Sequence, residues 1–342
     1  MVVSPPSLLC AMDKFRGTAS AGELARAVAG AAREKGIAID IQPMSDGGEG
    51  FVDAFTGVVS VVEVSGPWGE VVAARITRHR SADEWIAVVQ AADVVGRRPL
   101  PPTPDQALAG TSAGLGELIV AAAELEVDAV LVGCGDTATS DGGFGCYQVL
   151  RDAGGCSVPL TAATDVRARF AAARDYAEQK GVVARDLPRV DERLAQCRAL
   201  YLTERGVDVY ALERAGAAGG IAGALAALGA GLVSGFDAVA AAAGLAARVA
   251  RSSVVVTGEG RLDEGTLEGK VTWGVAQLVD PADTFLVVCG SVEAAAAREF
   301  TTRFPNARVV SLEERFGATV SHEDVLACVE LVVADFLGSL RD

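Results

Sequence analysis

Histidine is almost missing from this chain. Only His79 and His322 occur, too few for an imidazole-based metal cage, and their basic-strand and helix-start contexts read as structural. The seven cysteines lie far apart with no Cys-x-x-Cys pair, which excludes a zinc ribbon and a thioredoxin motif and leads us to expect a reducing, cytoplasmic compartment. Positive charge is scarce. Lys and Arg total 30 against 45 Asp and Glu, a net charge of −15 that repels nucleic acid and anionic lipid, so neither is an expected partner. The first 13 residues lack a basic start and a long apolar core, so no signal peptide is expected. The one segment to weigh as a membrane span, Ala215 to Phe236, is uncharged, but seven of its 22 residues are Gly; a close-packed Gly/Ala helix is expected instead. Three fingerprints are also missing: the P-loop GxxxxGK[ST], a GxGxxG after the first strand and the GxSxG nucleophile elbow.

What is present can fill more than one core, for the chain has 342 residues of which 50% are hydrophobic. Two domains are expected. SLLCAMD reads as a strand, AGELARAVAGAAREKG as a helix and IAIDIQPMS as the next strand. Beyond residue 57 the apolar runs VVSVVEVSGPWGEVVAARI and EWIAVVQAA, broken at Ser65-Gly66-Pro67, read as antiparallel strands. Helix and strand then alternate: a helix from Ser112 to about Glu126, the strand AVLVGCG, a helix after Asp141, and a polar helical stretch from about Arg167 to Arg205. The last quarter supplies SSVVVTG, TFLVVCG and ARVVSL as buried parallel strands separated by helices. The expected architecture is α/β. A Rossmann-like, doubly wound parallel sheet comes from both chain ends (1–60 and 236–342), and a mixed α/β domain (61–235) is inserted, with the active site in the cleft they form. Pro99 to Pro104 reads as a rigid loop.

Glycine makes up 39 residues, about 11% where ~7% is usual, and gathers at strand-to-helix junctions beside acids and hydroxyls. Asp46-Gly47-Gly48-Glu49-Gly50 can turn backbone N–H groups toward an anion while its carboxylates hold a cation, although a plain Gly turn with a capping Asp accounts for one such segment equally well. Gly133-Cys134-Gly135-Asp136-Thr137-Ala138-Thr139-Ser140-Asp141-Gly142-Gly143 is a second. Thr257-Gly258-Glu259-Gly260-Arg261-Leu262-Asp263 is a third, ahead of a helix carrying Lys270. Near the start, Lys14 and Arg16 place two cations at another junction, with Thr18 or Ser20 able to cap.

In this order the junctions resemble the bacterial glycerate kinase family, whose members phosphorylate D-glycerate with ATP and magnesium. The matching segments are DKFRGTASA (13–21), MSDGGEG (44–50), GTSAGLGELI (110–119), GDTATSDGGFG (135–145), ATDV (163–166), EQKG (178–181), AGAAGGIAGAL (215–225) and TGEGRLDEGTLEGK (257–270). The resemblance implies a cytoplasmic two-domain α/β kinase that yields phosphoglycerate, with 2-phosphoglycerate favoured, and takes ATP and Mg2+. Departures fall at Lys14 to Gly17, at Asp136 to Asp141, at Gly265 where Gln is usual, and at Gln90 where Glu is expected. They keep two alternatives open: a kinase for another small hydroxy acid, and a non-catalytic ligand-binding relative.

With the chemistry of phosphoryl transfer, the resemblance implies roles for single residues. Asp165 is expected to accept the proton of the attacking hydroxyl, or else to cap a helix beginning near Arg167. Lys14 and Arg16 are expected to grip carboxylate or phosphoryl, with Arg261 sharing the task. Asp46, Glu49, Asp263, Gln179 and Lys180 are expected at the substrate, and Gly47, Gly48, Thr137, Thr139, Asp141, Gly142, Gly143 and Lys270 at the nucleotide phosphates. Glu259 and Asp46 are expected to order magnesium.

Overall fold

A computed structural model describes residues 7–97 and 100–340. The first residues of the stretch weighed above as a signal peptide, and Pro99 of the Pro-rich loop, lie outside them. The described residues hold eleven strands: β1 (Ser7–Cys10), β2 (Ala38–Ile41), β3 (Gly57–Ser65), β4 (Val71–Ser81), β5 (Glu84–Gln90), β6 (Ala129–Cys134), β7 (Leu160–Thr164), β8 (Gly231–Ser234), β9 (Val254–Leu262), β10 (Thr284–Val292) and β11 (Ala307–Ser311). The chain divides into two units, one formed by Met1–Ser45 with Val239–Asp342 and one by Asp46–Ala238. The first division falls before residue 60, where the sequence put it. Residues 46–54 belong with the second unit because Val52 N–H donates to Gln90 at the end of β5 and Glu49 N–H donates to Asp136 beyond β6.

The first unit carries a parallel sheet of order β11-β10-β9-β1-β2. Counted along this unit alone the order is 2-1-3-4-5, a doubly wound pattern whose direction reverses between β1 and β9. Both faces are covered. Leu8, Cys10, Val254, Val256, Leu286 and Val288 pack with helices Ala21–Glu34 and Val325–Ser339, while Leu9, Val255, Phe285 and Val287 on the alternate face are equally buried. Helix Ala21–Glu34 starts at Ser20, whose hydroxyl accepts from Glu23 N–H while Glu23 accepts from Ser20 N–H. Thr18, the other capping residue considered, donates instead to Phe15 O.

In the second unit the sheet order is β3-β4-β5-β6-β7-β8. The first three strands pair antiparallel and the last four parallel, because β3 to β5 are joined by short turns whereas β5, β6, β7 and β8 are separated by helical crossovers. Two expectations change here. The stretch 167–205 is helical only from Leu187 to Arg205; the residues before it form short 3-10 turns, interrupted at the left-handed Gly181. The 215–236 segment is not one helix either. Ala218, Gly219 and Gly220 have left-handed backbone, which confines the α-helix to Ile221–Ala227, and Gly231–Ser234 then becomes β8. No helix among the described residues is long and apolar enough to cross a membrane.

Candidate active site

Parallel pairing fixes where the chemistry of the second unit collects. Gln90 stands opposite Gly133, Cys134 opposite Thr164 and Thr164 opposite Ser234, so β5, β6, β7 and β8 end along one edge. Open α/β sheets bind ligands outside such carboxyl ends. The loops that leave this edge carry Asp136 to Asp141 after β6 and Asp165 after β7. The 46–50 segment runs across them. Gly47 has φ +106°, and a methyl there would lie 2.9 Å from Ala163 O, so only glycine lets the backbone lie this close to β7. A methyl on Gly135 would likewise lie 2.7 Å from Gly48 Cα and 3.1 Å from Asp165 Cγ. Glu49 N–H donates to Asp136 Oδ2 at 3.0 Å and Gly48 N–H to Asp46 Oδ1 at 3.3 Å, while the Glu49 side chain is exposed. On the other side, Arg97 N–H donates to Asp136 O and Ala138 N–H to Val95 O, which pins the loop after β6 to residues 95–97.

Asp165 is not the N-cap of the turn that follows: that turn begins at Phe170 and its N-cap residue is Arg169, without a side-chain cap. Lys180 lies close to it electrostatically. The lysine is buried and turned inward, and its Nζ donates to Thr137 Oγ1 at 3.0 Å and to Thr139 O at 2.9 Å. Burial draws its ammonium down to about 8, against the pull of the Asp165 and Asp141 carboxylates, which favour the charged form. Gln179 beside it faces solvent. Thr139 Oγ1 and Ser140 Oγ are buried with no hydrogen-bond partner.

Asp141 is committed to partners within the protein. Its Oδ2 accepts from Ser112 N–H, the Ser112 hydroxyl and Gly145 N–H, and its Oδ1 accepts from Gly143 N–H. Gly142 N–H donates to Gly219 O. The amides of the Gly142-Gly143 turn are therefore engaged within the protein, as is Gly48 N–H with Asp46, while Thr137 and Thr139 bring hydroxyls to the same edge.

In the first unit the loops after β1 and within β9 meet at the switch point of the sheet. Asp13 N–H donates to Gly258 O at 3.0 Å, Thr257 Oγ1 donates to Ala11 O at 2.6 Å, and Lys14 N–H donates to Asp13 Oδ1 at 2.8 Å. A methyl on Gly260 would lie 3.3 Å from Arg16 N. Asp13 is buried, Lys14 half-buried and Arg16 exposed. Glu259 is buried with its Oε1 unpartnered; burial raises its carboxyl to about 7, against the pull of Thr272, Thr266 and Lys270. Asp263 caps the short helix Glu264–Leu267, accepting from Gly265 N–H at 3.0 Å while its own N–H donates to Thr266 Oγ1. Arg261 is exposed and sits 3.8 Å from Asp263 and 3.9 Å from Glu293. Lys270 reaches toward Gly265, where a methyl would be 2.9 Å from its Nζ. A Gln at position 265, usual in the resembling family, would crowd that amine.

Sequence reasoning missed Ser112, whose hydroxyl donates to Asp141, and Thr266, whose hydroxyl accepts from Asp263 N–H, because a hydroxyl paired within the protein has no spacing signature of its own; Thr272, just past the last matching segment, is buried with its hydroxyl unpartnered. It also treated Gln90 as a departure near ligand loops. Its amide instead accepts from Val52 N–H at 3.1 Å and donates to Asp93 Oδ1 at 2.5 Å, a double role that Glu could not fill while ionised.

No group of three or more His, Cys, Asp or Glu side chains able to hold a metal ion occurs among the described residues. Magnesium carried on a nucleotide needs only one or two carboxylates, and the unpartnered, buried Glu259 Oε1 fits such a ligand.

Comparison with known proteins agrees with this geometry. The family model of the glycerate kinase family matches residues 8–153 and 151–320. The glycerate kinase of Halalkalibacterium halodurans is 32% identical over 316 residues, covering 79% of this chain and 81% of its own. The glycerate 2-kinase of Escherichia coli is 32% identical over 313 residues, with the same two coverages of 79% and 81%. A crystal structure of a putative glycerate kinase 2 from Salmonella typhimurium superimposes with a TM-score of 0.74 at 28% identity, covering 99% of this chain and 100% of that one. The chain belongs to the glycerate kinase family.

Proposed function

We propose that this kinase transfers the γ-phosphoryl group of ATP to the 2-hydroxyl of D-glycerate. What supports the reading most is that, in a chain of this family, Asp165, the Gly47-Gly48 segment and the loop carrying Thr137 and Thr139 gather at one carboxyl edge of parallel strands. The choice of the 2-position follows the E. coli relative, which is named a glycerate 2-kinase.

Asp165 accepts the proton of the attacking hydroxyl, for which a part-buried carboxylate beyond a strand end is suited. Thr137, Thr139 and the Gly47-Gly48 backbone receive phosphate oxygens. Lys14 and Arg16 grip the acid carboxylate or the transferred phosphoryl, with Arg supplying two parallel donors. Asp46, Glu49, Arg261 and Asp263 contribute to recognition of the acid, and Lys270 to the phosphates. Magnesium, for which Glu259 would supply an oxygen ligand, would neutralise charge on the nucleotide phosphates.

The test is phosphorus NMR of the product formed by the purified protein from ATP, magnesium and D-glycerate, alongside a panel of other small hydroxy acids. A 2-phosphoglycerate resonance is expected. A 3-phosphoglycerate product overturns the regiochemistry, turnover of a different acid alone overturns the substrate, and absence of ADP with every acid overturns the reading as a kinase.

A further inference from the structure

We infer that Lys180 is a positioning residue for phosphoryl transfer: its inward ammonium holds the loop after β6 in shape and keeps Asp165 ionised. The inference rests on the assignment of Asp165 as proton acceptor and extends it to a second residue.

Lysine is rarely fully buried unless paired, and here the surrounding chain is shaped to hold one. Nζ donates to Thr137 Oγ1 and Thr139 O, on either side of Ala138, whose N–H is tied to Val95 O. One ammonium thus fixes the two hydroxyl-bearing positions of the loop relative to each other. The opposite wall is Gly219, in left-handed conformation, where a methyl would lie 3.0 Å from Nζ and 2.1 Å from Thr139 O. Any larger residue there would displace either the amine or the loop.

The charged groups whose fields act on Nζ are Asp165, Arg97 and Asp141. Asp141 already accepts four hydrogen bonds from Ser112, Gly143 and Gly145, so its charge is largely answered. Arg97 opposes the ammonium. Of the two carboxylates, Asp165 acts on the buried cation more strongly, and the interaction is reciprocal: the ammonium favours ionised Asp165 by as much as Asp165 favours the ammonium. A proton acceptor must be ionised at the working pH, which makes this coupling useful for catalysis.

Two measurements test the inference. In Lys180→Met, kcat is expected to fall about 10- to 100-fold, and the acid limb of its pH profile to move up by about one unit. In Thr137→Val, which loosens the loop but leaves the charge, activity falls without moving that limb. An unmoved limb in Lys180→Met overturns the role. Should that variant not fold, the coupling is read from the other side: NMR titration of the Lys180 Cε signal in Asp165→Asn is expected to show a lower midpoint than in the wild-type protein, and an equal midpoint overturns the inference. A wild-type protein that phosphorylates no hydroxy acid, yet shows the NMR shift, would leave a structural ion pair and overturn both the positioning role and the proposed function. Catalysis without the shift would overturn the positioning role alone.

Discussion

Ser112 gives both of its donors to a single oxygen of Asp141, its amide at 2.8 Å and its hydroxyl at 2.7 Å, and then uses the same hydroxyl to accept from Cys146 N–H. This buried knot ties the start of helix Ala113–Ala123 to the loop after β6 and to the start of helix Phe144–Asp152. Asp141→Asn would point an NH2 at backbone amides that can only donate, either Gly143 N–H or those of Ser112 and Gly145. We expect it to destabilise the protein by about 3 kcal/mol in urea denaturation, with nucleotide affinity of the folded fraction retained. Unchanged stability with lost affinity would return Asp141 to a phosphate role.

Gln90 supports a similar argument with the opposite substitution. Glu at this position would set its carboxylate against that of Asp93, which also pairs with Arg75. Gln90→Glu is expected to lose about 2 kcal/mol at neutral pH. The like-charge contact raises the folded-state pKa, so the loss should shrink as the pH falls and the new carboxyl gains a proton that it can donate. Adding Asp93→Asn should recover part of the loss. A double-mutant cycle with no coupling energy would count against the hydrogen-bonded pair.

These two residues also mark what could be read from the sequence. Parallel and antiparallel segments and the Gly-rich junctions followed from periodicity and from the ordered family motifs, because each depends on local spacing, whereas the strand Leu160–Thr164 that ends just before Asp165 was not read from the sequence. Asp141 looked like its neighbours Thr137 and Thr139, and only the fold reveals that its carboxylate turns inward to Ser112, 29 residues earlier in the chain. Lys180 and Gln179 are adjacent in sequence but one is buried and the other exposed, a distinction set by a 3-10 turn instead of a regular helical face. The 215–236 segment was misread for a related reason: composition reports that residues are small, but not that Ala218 to Gly220 leave the right-handed region to fit against Thr139 and Gly142.

Asp165→Asn separates chemistry from folding. Amide for carboxylate preserves shape but removes a charge that favours the buried Lys180 ammonium, so the melting temperature is expected to fall by a few degrees and turnover is compared on the folded protein. Turnover of D-glycerate should drop about 100- to 10,000-fold with little change in KM, the pattern for losing a group that acts mainly in the transition state. A variant that keeps more than a tenth of the wild-type kcat would remove Asp165 from the role of base.

Glu259 provides a prediction that needs no substrate. With chelator present and nucleotide absent, the folded protein holds this proton up to about pH 7, whereas an unfolded chain releases it near 4.5. Over that window the folded state binds more protons than the unfolded one, so stability falls as the pH rises, and the loss is complete above about 7. The gap between the two values corresponds to about 3 kcal/mol. Glu259→Gln keeps the buried shape without a titrating group and should be free of this slope. The stability of the variant relative to wild type is therefore expected to improve by about 3 kcal/mol between pH 4.5 and pH 8, as followed by denaturant midpoints at fixed ionic strength. Magnesium and ATP, if held by this carboxylate, should reduce the difference at pH 8 by stabilising the ionised form in the wild type alone. A difference that stays constant across the range would show that the carboxyl at 259 ionises normally in the fold and would withdraw the buried, unpartnered oxygen as a cation ligand.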